Sequence, residues 1–151
     1  MPIALESPNQ AEVLSLIAEL DAYQHSLYPP ESVYALDLGS VAQEQVLFVV
    51  ARDDAARAVG CGAVVLTPAF GELKRMYVRP QNRGQGIAKK ILSRLELEAK
   101  KSGCSLLKLE TGPRHTEALA LYALCGYQLR GPFGDYPDDP LSVFMQKHIP
   151  A

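Results

Sequence analysis

Between Glu72 and Thr111 the chain reads strand, glycine turn, long amphipathic helix and strand, and that order leaves few ways to fold. Glu72-Leu73-Lys74-Arg75-Met76-Tyr77-Val78 and Leu106-Leu107-Lys108-Leu109-Glu110-Thr111 have the length and apolar content of strands. Between them Ile87, Ala88, Ile91, Leu92, Leu95 and Ala99 recur at helical spacing. Lys89, Lys90, Arg94, Lys100 and Lys101 lie off that stripe, and Ser102-Gly103 supplies the stop. A helix joining two strands of one sheet brings the chain back to its starting end. The two strands therefore run parallel, with a right-handed crossover.

The flanking segments extend this unit without repeating it. Val46 to Ala51 and Val59 to Leu66 are short apolar runs split by Arg52-Asp53-Asp54-Ala55-Ala56-Arg57, which predicts a hairpin ahead of the parallel pair. Ser7-Pro8-Asn9-Gln10 has the form of a capping box, and Val13, Leu14, Ile17 and Leu20 predict a helix running to about Tyr23. Beyond the parallel pair, Thr116 to Leu124 reads as a short helix ended by Gly126. Tyr127 to Arg130 and Leu141 to Lys147 read as two last strands. No linker or repeat divides residues 1–151, so one domain is expected, with a mixed sheet and helices on both faces.

Composition narrows the function classes. With 21% charged residues and a net charge of −2, the chain has no general basic character, so nucleic acid is not an expected partner. No stretch approaches the roughly 20 apolar residues of a membrane span, and residues 1–6 lack a signal-like pattern, which points to the cytoplasm. Cys61, Cys104 and Cys125 form no C-x-x-C pair and no compact group with His25, His115 or His148, so neither a disulfide framework nor a metal site is expected. Each cysteine reads as a small apolar core residue, with Cys125 alone near a candidate site. His25 and His148 read as structural or surface residues.

The chemistry concentrates in Gln81-Asn82-Arg83-Gly84-Gln85-Gly86-Ile87-Ala88, between a strand and a helix start. The first amides of a helix have no internal partner and sit at the positive end of its dipole, and glycines let an anion approach the backbone. Arg83 and Lys89 add charge. A P-loop would require Gly-Lys-Ser/Thr, and a dinucleotide fingerprint a third glycine where Lys89 stands; neither is present.

From Glu72 to Tyr127 the chain resembles the GNAT family of N-acetyltransferases. Gln81, Gly84 and Gly86 fill its Gln/Arg-x-x-Gly-x-Gly/Ala signature, and His115 to Tyr127 follow its Asn-x-x-Ala-x-x-x-Tyr-x-x-x-Gly-Phe helix. His115 replaces the asparagine and Tyr127 the phenylalanine. The resemblance implies an α/β (α+β) fold: a twisted, mixed and mostly antiparallel sheet of about six or seven strands, with a splayed parallel pair at its centre. It implies acetyl-coenzyme A as cosubstrate, with the Arg83, Gly84, Gln85, Gly86, Ile87 and Ala88 loop on the pyrophosphate. Met76, Tyr77 and Val78 would hold the pantetheine arm, with further contacts from His115 and Tyr122.

The implied reaction is direct attack of a primary amine on the thioester. An ammonium must first lose a proton, for which Glu72 is the candidate base. The departing thiolate must gain one, for which Tyr122 is the candidate acid. A strand amide, that of Met76, would hold the oxyanion. Glu110 and Thr111 end the second parallel strand, where ligands of such sheets collect, and Tyr28, Glu31 and Tyr136 lie in irregular segments 27–41 and 131–140. These five are the candidate acceptor residues. Aromatic groups and prolines in both segments suit an enclosed pocket, so the expected acceptor is a small amine such as an amino acid or related metabolite. Acetylation of a protein or peptide, and a non-catalytic acyl-coenzyme A sensor, are the alternatives. A homodimer is left open.

Overall fold

The computed structural model describes residues 2–34 and 45–150. They form a seven-stranded sheet in the order β1-β2-β3-β4-β5-β7-β6. Its strands are β1 (Ile3–Leu5), β2 (Val46–Arg52), β3 (Ala58–Leu66), β4 (Gly71–Val78), β5 (Leu106–Thr111), β6 (Gln128–Arg130) and β7 (Val143–His148). All neighbours pair antiparallel except β4 and β5. The helices are α1 (Ala11–Leu27), α2 (Ile87–Lys101) and α3 (Thr116–Leu124). The expected mixed sheet, hairpin and crossover are all present. Residues 35–41 of the first irregular segment lie outside the described residues.

Helix α2 packs on one face of the sheet. Ile91, Leu92, Leu95 and Ala99 are buried there against Val49, Val64, Leu73, Leu107 and Leu109. Full burial of each large apolar chain contributes roughly 1.5–3 kcal/mol, whereas exposed ion pairs contribute about 0–1 kcal/mol. The apolar stripe therefore holds α2 down. Buried Glu98, off the predicted pattern, pairs with Arg94 at 3.9 Å and with Lys101 at 3.4 Å.

Helix α1 covers the opposite face, where Val13, Leu16 and Leu20 meet Phe48, Val50, Cys61 and Tyr77. Leu14, expected on the buried stripe, is 53% exposed. Leu16 takes its place because positions 13, 16 and 20 stack over successive turns. The capping box also departs from expectation. Ser7 Oγ accepts from the Asn9 amide, and Gln10 Nε2 donates to the Ser7 carbonyl, but α1 starts only at Ala11 and runs past Tyr23 to Leu27. Strand β1 has too few residues to show alternation in the sequence. Its pairing with β2 and a bond from Arg94 to the Ile3 carbonyl at 2.7 Å hold it in place.

Cys61 is buried, and burial pushes its thiol up to about 12, so it stays protonated. Cys104 and Cys125 are only half-buried against the core edge, because they stand at turns rather than mid-strand. Among the described residues no helix is long and apolar enough to cross a membrane, and no group of His, Cys, Asp and Glu is placed to hold a metal ion.

Candidate active site

Strand β4 ends in a single 3-10 turn, Pro80–Asn82, and the chain then reaches α2 through two left-handed residues, Gly84 at φ 78° and Gly86 at φ 76°. A residue with a Cβ would be strained there by about 1–2 kcal/mol. A Cβ at either position would meet nothing within 4 Å, so conformation rather than crowding requires glycine, and the loop backbone stays open. The first helical bond of α2 runs from the Lys90 amide to the Gly86 carbonyl at 3.2 Å, which leaves the amides of Ile87, Ala88 and Lys89 without helical partners. Arg83 is braced beside them by a 3.1 Å bond from Nε to the Val78 carbonyl, its guanidinium over the rings of Tyr23 and Tyr77.

The parallel pairing of β4 and β5 is confined to Gly71 with Leu107 and Glu72 with Lys108. Past that point no ladder joins them. A β-bulge lies on the other side of β4: Cys61 faces Tyr77 and Ala63 faces Lys74, so Arg75 and Met76 stand opposite Gly62 alone. Arg75 takes a φ of 59° there. Gly62 is required by close approach, because a Cβ would lie 2.5 Å from Met76 Sδ and 2.9 Å from Ile91. The bulge removes one stretch of β4 backbone from the β3 ladder at the mouth of the splay.

A cavity of about 490 Å³ fills the splay and runs to the glycine turn. Met76, Tyr77, Val78, Arg83, Gly84, Gly86, Ile87 and Ala88 line it on the β4–α2 side, and Glu110, Thr111, His115 and Tyr122 on the other. Exposed Gln85 lies outside its wall. Size, open amides and flanking Arg83 and Lys89 suit a long ligand with a phosphate group at the loop and its other end between the strands. Tyr122 is buried, packs edge-on against Tyr127 at 5.6 Å, and its hydroxyl has no partner among the described residues. Burial raises its pKa, so the hydroxyl stays protonated at neutral pH.

The two carboxylates differ in placement. Glu72 lies outside the cavity wall, where its Oε2 accepts from the Tyr136 hydroxyl at 2.5 Å and meets Lys74 Nζ at 3.1 Å. Glu110 lines the cavity and accepts from Ser142 Oγ at 2.8 Å. Burial holds its carboxyl above the usual glutamate range. Sequence pattern alone does not separate the two, since each is a polar residue in a half-apolar strand.

Residues 27–34 and 131–142 meet at this end. Asp139 ties them: its Oδ2 accepts from Ser32 Oγ and the Tyr34 hydroxyl, both at 2.7 Å, and its Oδ1 from the Leu141 amide at 2.8 Å. Lys74 Nζ donates to the Tyr34 carbonyl and to the Tyr136 hydroxyl. Tyr136 packs edge-on against Tyr34, Phe133 and Phe144, under the cover rather than in the cavity wall. Tyr28 is buried with its hydroxyl 3.0 Å from His115 Nδ1. Glu31 is exposed and lines neither this cavity nor the small one beside it. Gln24 and Lys74 line the site without having been expected to. Gln24 lies one residue beyond the predicted end of α1, and Lys74 reads in sequence as ordinary strand polarity.

Residues 44–129 match the model of the acetyltransferase (GNAT) domain. The chain belongs to the GNAT family. It is 48% identical to the IAA acetyltransferase of Azospirillum brasilense over 97% of each chain. The crystal structure of a Klebsiella pneumoniae protein described as an acyl-CoA N-acyltransferase superposes with a TM-score of 0.89 at 43% identity, covering 98% of this chain and 97% of the other. The PaiA N-acetyltransferase of Thermoplasma acidophilum, solved in complex with coenzyme A, shares the fold with a TM-score of 0.71 at 19% identity, over 98% and 99% of the two chains. As a GNAT protein the chain is an N-acetyltransferase enzyme, and its sheet with one splayed parallel pair is the GNAT fold.

Proposed function

We propose that the enzyme transfers the acetyl group of acetyl-coenzyme A to the primary amine of a small molecule, an amino acid or related metabolite. The observation that carries this reading is the continuous cavity from the glycine turn to Glu110, covered at the far end by segments joined through Asp139. Open amides at Ile87 and Ala88 and the charge of Arg83 suit the pyrophosphate of the coenzyme. Edges of β4 and β5 freed by the splay suit its pantetheine arm.

Acetyl-coenzyme A, when bound, supplies an activated acyl thioester; the side chains manage protons and charge. Glu110 takes the proton of the acceptor ammonium. Of the two carboxylates in the cavity wall it is the one on the splayed strand β5, Glu117 being exposed on α3, whereas Glu72 is occupied by Tyr136 and Lys74. A raised pKa brings Glu110 closer to neutrality and makes it the better base for an amine. Glu72 becomes a positioning residue for Lys74 and Tyr136. The backbone at the Arg75–Met76 bulge, outside the β3 ladder, offers an amide to the oxyanion. Tyr122, protonated and without a partner among the described residues, returns a proton to the leaving thiolate.

A competition assay tests the acceptor class. Free amines, amino acids and lysine-containing peptides are offered together with acetyl-coenzyme A, and thiol release is followed with product identification. Small amines are expected to be acetylated with the higher kcat/KM. If peptides exceed every small amine, and shortening the 131–140 segment leaves that activity intact, the acceptor is a protein.

A further inference from the structure

Beside the main cavity lies an annex of about 50 Å³, lined by Gln24, Tyr34, Glu110, Thr111 and His115 together with Tyr28, Ser32, Val33, Gly112 and Leu141. At roughly 10–15 Å³ of such space per water, it has room for a group of about three or four heavy atoms. It shares Gln24, Tyr34, Glu110, Thr111 and His115 with the main cavity, so a ligand group placed there lies next to Glu110.

The hydrogen-bond roles in its wall follow from one chain of contacts. The Arg114 amide donates to Tyr28 Oη at 2.9 Å, and Tyr28 Oη lies 3.0 Å from His115 Nδ1. An amide can only donate, so the Tyr28 oxygen accepts there, and the one remaining partner for its proton among the described residues is Nδ1. Nδ1 is therefore the acceptor nitrogen, and in the neutral ring the hydrogen sits on Nε2. Stacking on Tyr28 and the edge of Tyr23 hold the ring in place. Burial lowers the imidazole pKa, which keeps the ring neutral at pH 7.

Three groups on residues lining both spaces have no partner among the described residues: His115 Nε2–H, which can only donate, and the Gln24 carboxamide and Thr111 hydroxyl, each of which can donate or accept. The hydroxyls of Ser32 and Tyr34 are already committed to Asp139. Unpartnered donors call for an acceptor atom on the ligand. Charge decides which kind: no lysine or arginine lines the annex, Glu110 does, and residues 35–44 of the sequence contain no lysine or arginine. A carboxylate buried there would face the Glu110 carboxylate, and the neighbouring Lys74 ammonium is already paired with Glu72 at 3.1 Å.

We propose that the annex binds an uncharged hydrogen-bond-accepting group of the acetyl acceptor, a carboxamide or an alcohol close to the reacting amine, and rejects a carboxylate. The substrate class is thus an amino-acid amide or amino alcohol rather than a free amino acid. This rests on the proposed small-amine function and narrows it.

Matched acceptors test the proposal: glycine and glycinamide, alanine and alaninamide, with ethanolamine and propylamine, all with acetyl-coenzyme A. Thiol release gives kcat/KM, expressed per free amine so that differences in ammonium pKa drop out. The amides and ethanolamine are expected to exceed both the free acids and propylamine at least about tenfold. Gln24→Lys places a cation in the annex and is expected to move the amide-to-acid ratio at least about tenfold toward the acid. Nitrogen NMR of the unliganded protein, a readout independent of activity, is expected to show His115 protonated at Nε2, and Tyr28→Phe to relax that preference. Free acids turned over as well as their amides would overturn the annex proposal and leave the small-amine reading standing, as would a histidine protonated at Nδ1. Acetylation of lysine peptides with no small amine turned over would overturn both.

Discussion

The two ends of the cavity are built by different means. At the coenzyme end the working parts are backbone: two glycines at φ 78° and 76°, free amides at the head of α2, and strand edges exposed by a splay. At the acceptor end they are side chains brought together across long loops, such as Ser32 and Asp139, 107 residues apart in sequence. Backbone geometry is set by neighbours along the chain and tolerates change in side chains around it. A site assembled from pairs such as Asp139 with Tyr34, or Tyr28 with His115, changes its selectivity whenever one partner changes. One fold can therefore keep its donor substrate and vary its acceptor.

The sharpest way to break this comparison is at the turn. Gly86→Val introduces a Cβ into a left-handed position whose surroundings are empty in the protein but adjoin the proposed phosphate site. Calorimetry is expected to show coenzyme affinity falling by at least about a hundredfold, which corresponds to roughly 2.7 kcal/mol. Unchanged affinity would mean that the loop is only a connection.

Proton transfer comes next. Tyr122→Phe is expected to lower kcat at least about tenfold with coenzyme affinity kept, since the donated proton matters only in the transition state. Equal turnover would reduce Tyr122 to a core residue. Glu110→Gln is expected to lower kcat/KM by about a hundredfold, a typical size for loss of a general base. In the unmodified enzyme the acid limb of the kcat/KM profile should lie above the ordinary glutamate pKa of about 4.3, because burial disfavours the charged carboxylate. The sign for stability is opposite. A raised carboxyl pKa favours folding while the group is protonated and is lost as pH rises through the folded value, so Glu110→Gln should unfold at a higher temperature than the parent near pH 7. If Glu72→Gln proves the more damaging in kcat/KM, the base assignment moves to Glu72.

The smallest effect is expected from the tie between the loops. Asp139→Ala removes the acceptor shared by Ser32, Tyr34 and the Leu141 amide. Acceptor KM is expected to rise severalfold while coenzyme affinity stays within a factor of about two, as sites that share no partner act independently. Equal losses on both substrates would show that the two ends are coupled rather than separable.

Much of the architecture was legible before any coordinates. The α2 stripe, the crossover and the β2–β3 hairpin follow from period and punctuation, and the second motif marks α3 and buried Tyr122. Strand β1 has no signature in the sequence because a strand this short carries no pattern, and Leu14 reads as core because apolar character alone does not fix a helix face. Gln24 and Lys74 enter the site through the length of α1 and the packing of Tyr136, neither of which has a local signature.

The sequence by itself determined the donor-side framework, because glycine conformation, helix ends and strand period depend on residues a few positions apart. Which carboxylate meets the cavity was decided only by tertiary structure. Glu72 and Glu110 stand on the adjacent strands β4 and β5, and their strand patterns are alike. The way β4 and β5 part beyond Glu72, and the loop that brings Tyr136 onto Glu72 and Ser142 onto Glu110, send one into an ion pair and leave the other in the wall. The same holds for His115, whose tautomer is set by a tyrosine 87 residues away. Such contacts form only when the core has brought distant segments together, and no window of sequence contains them.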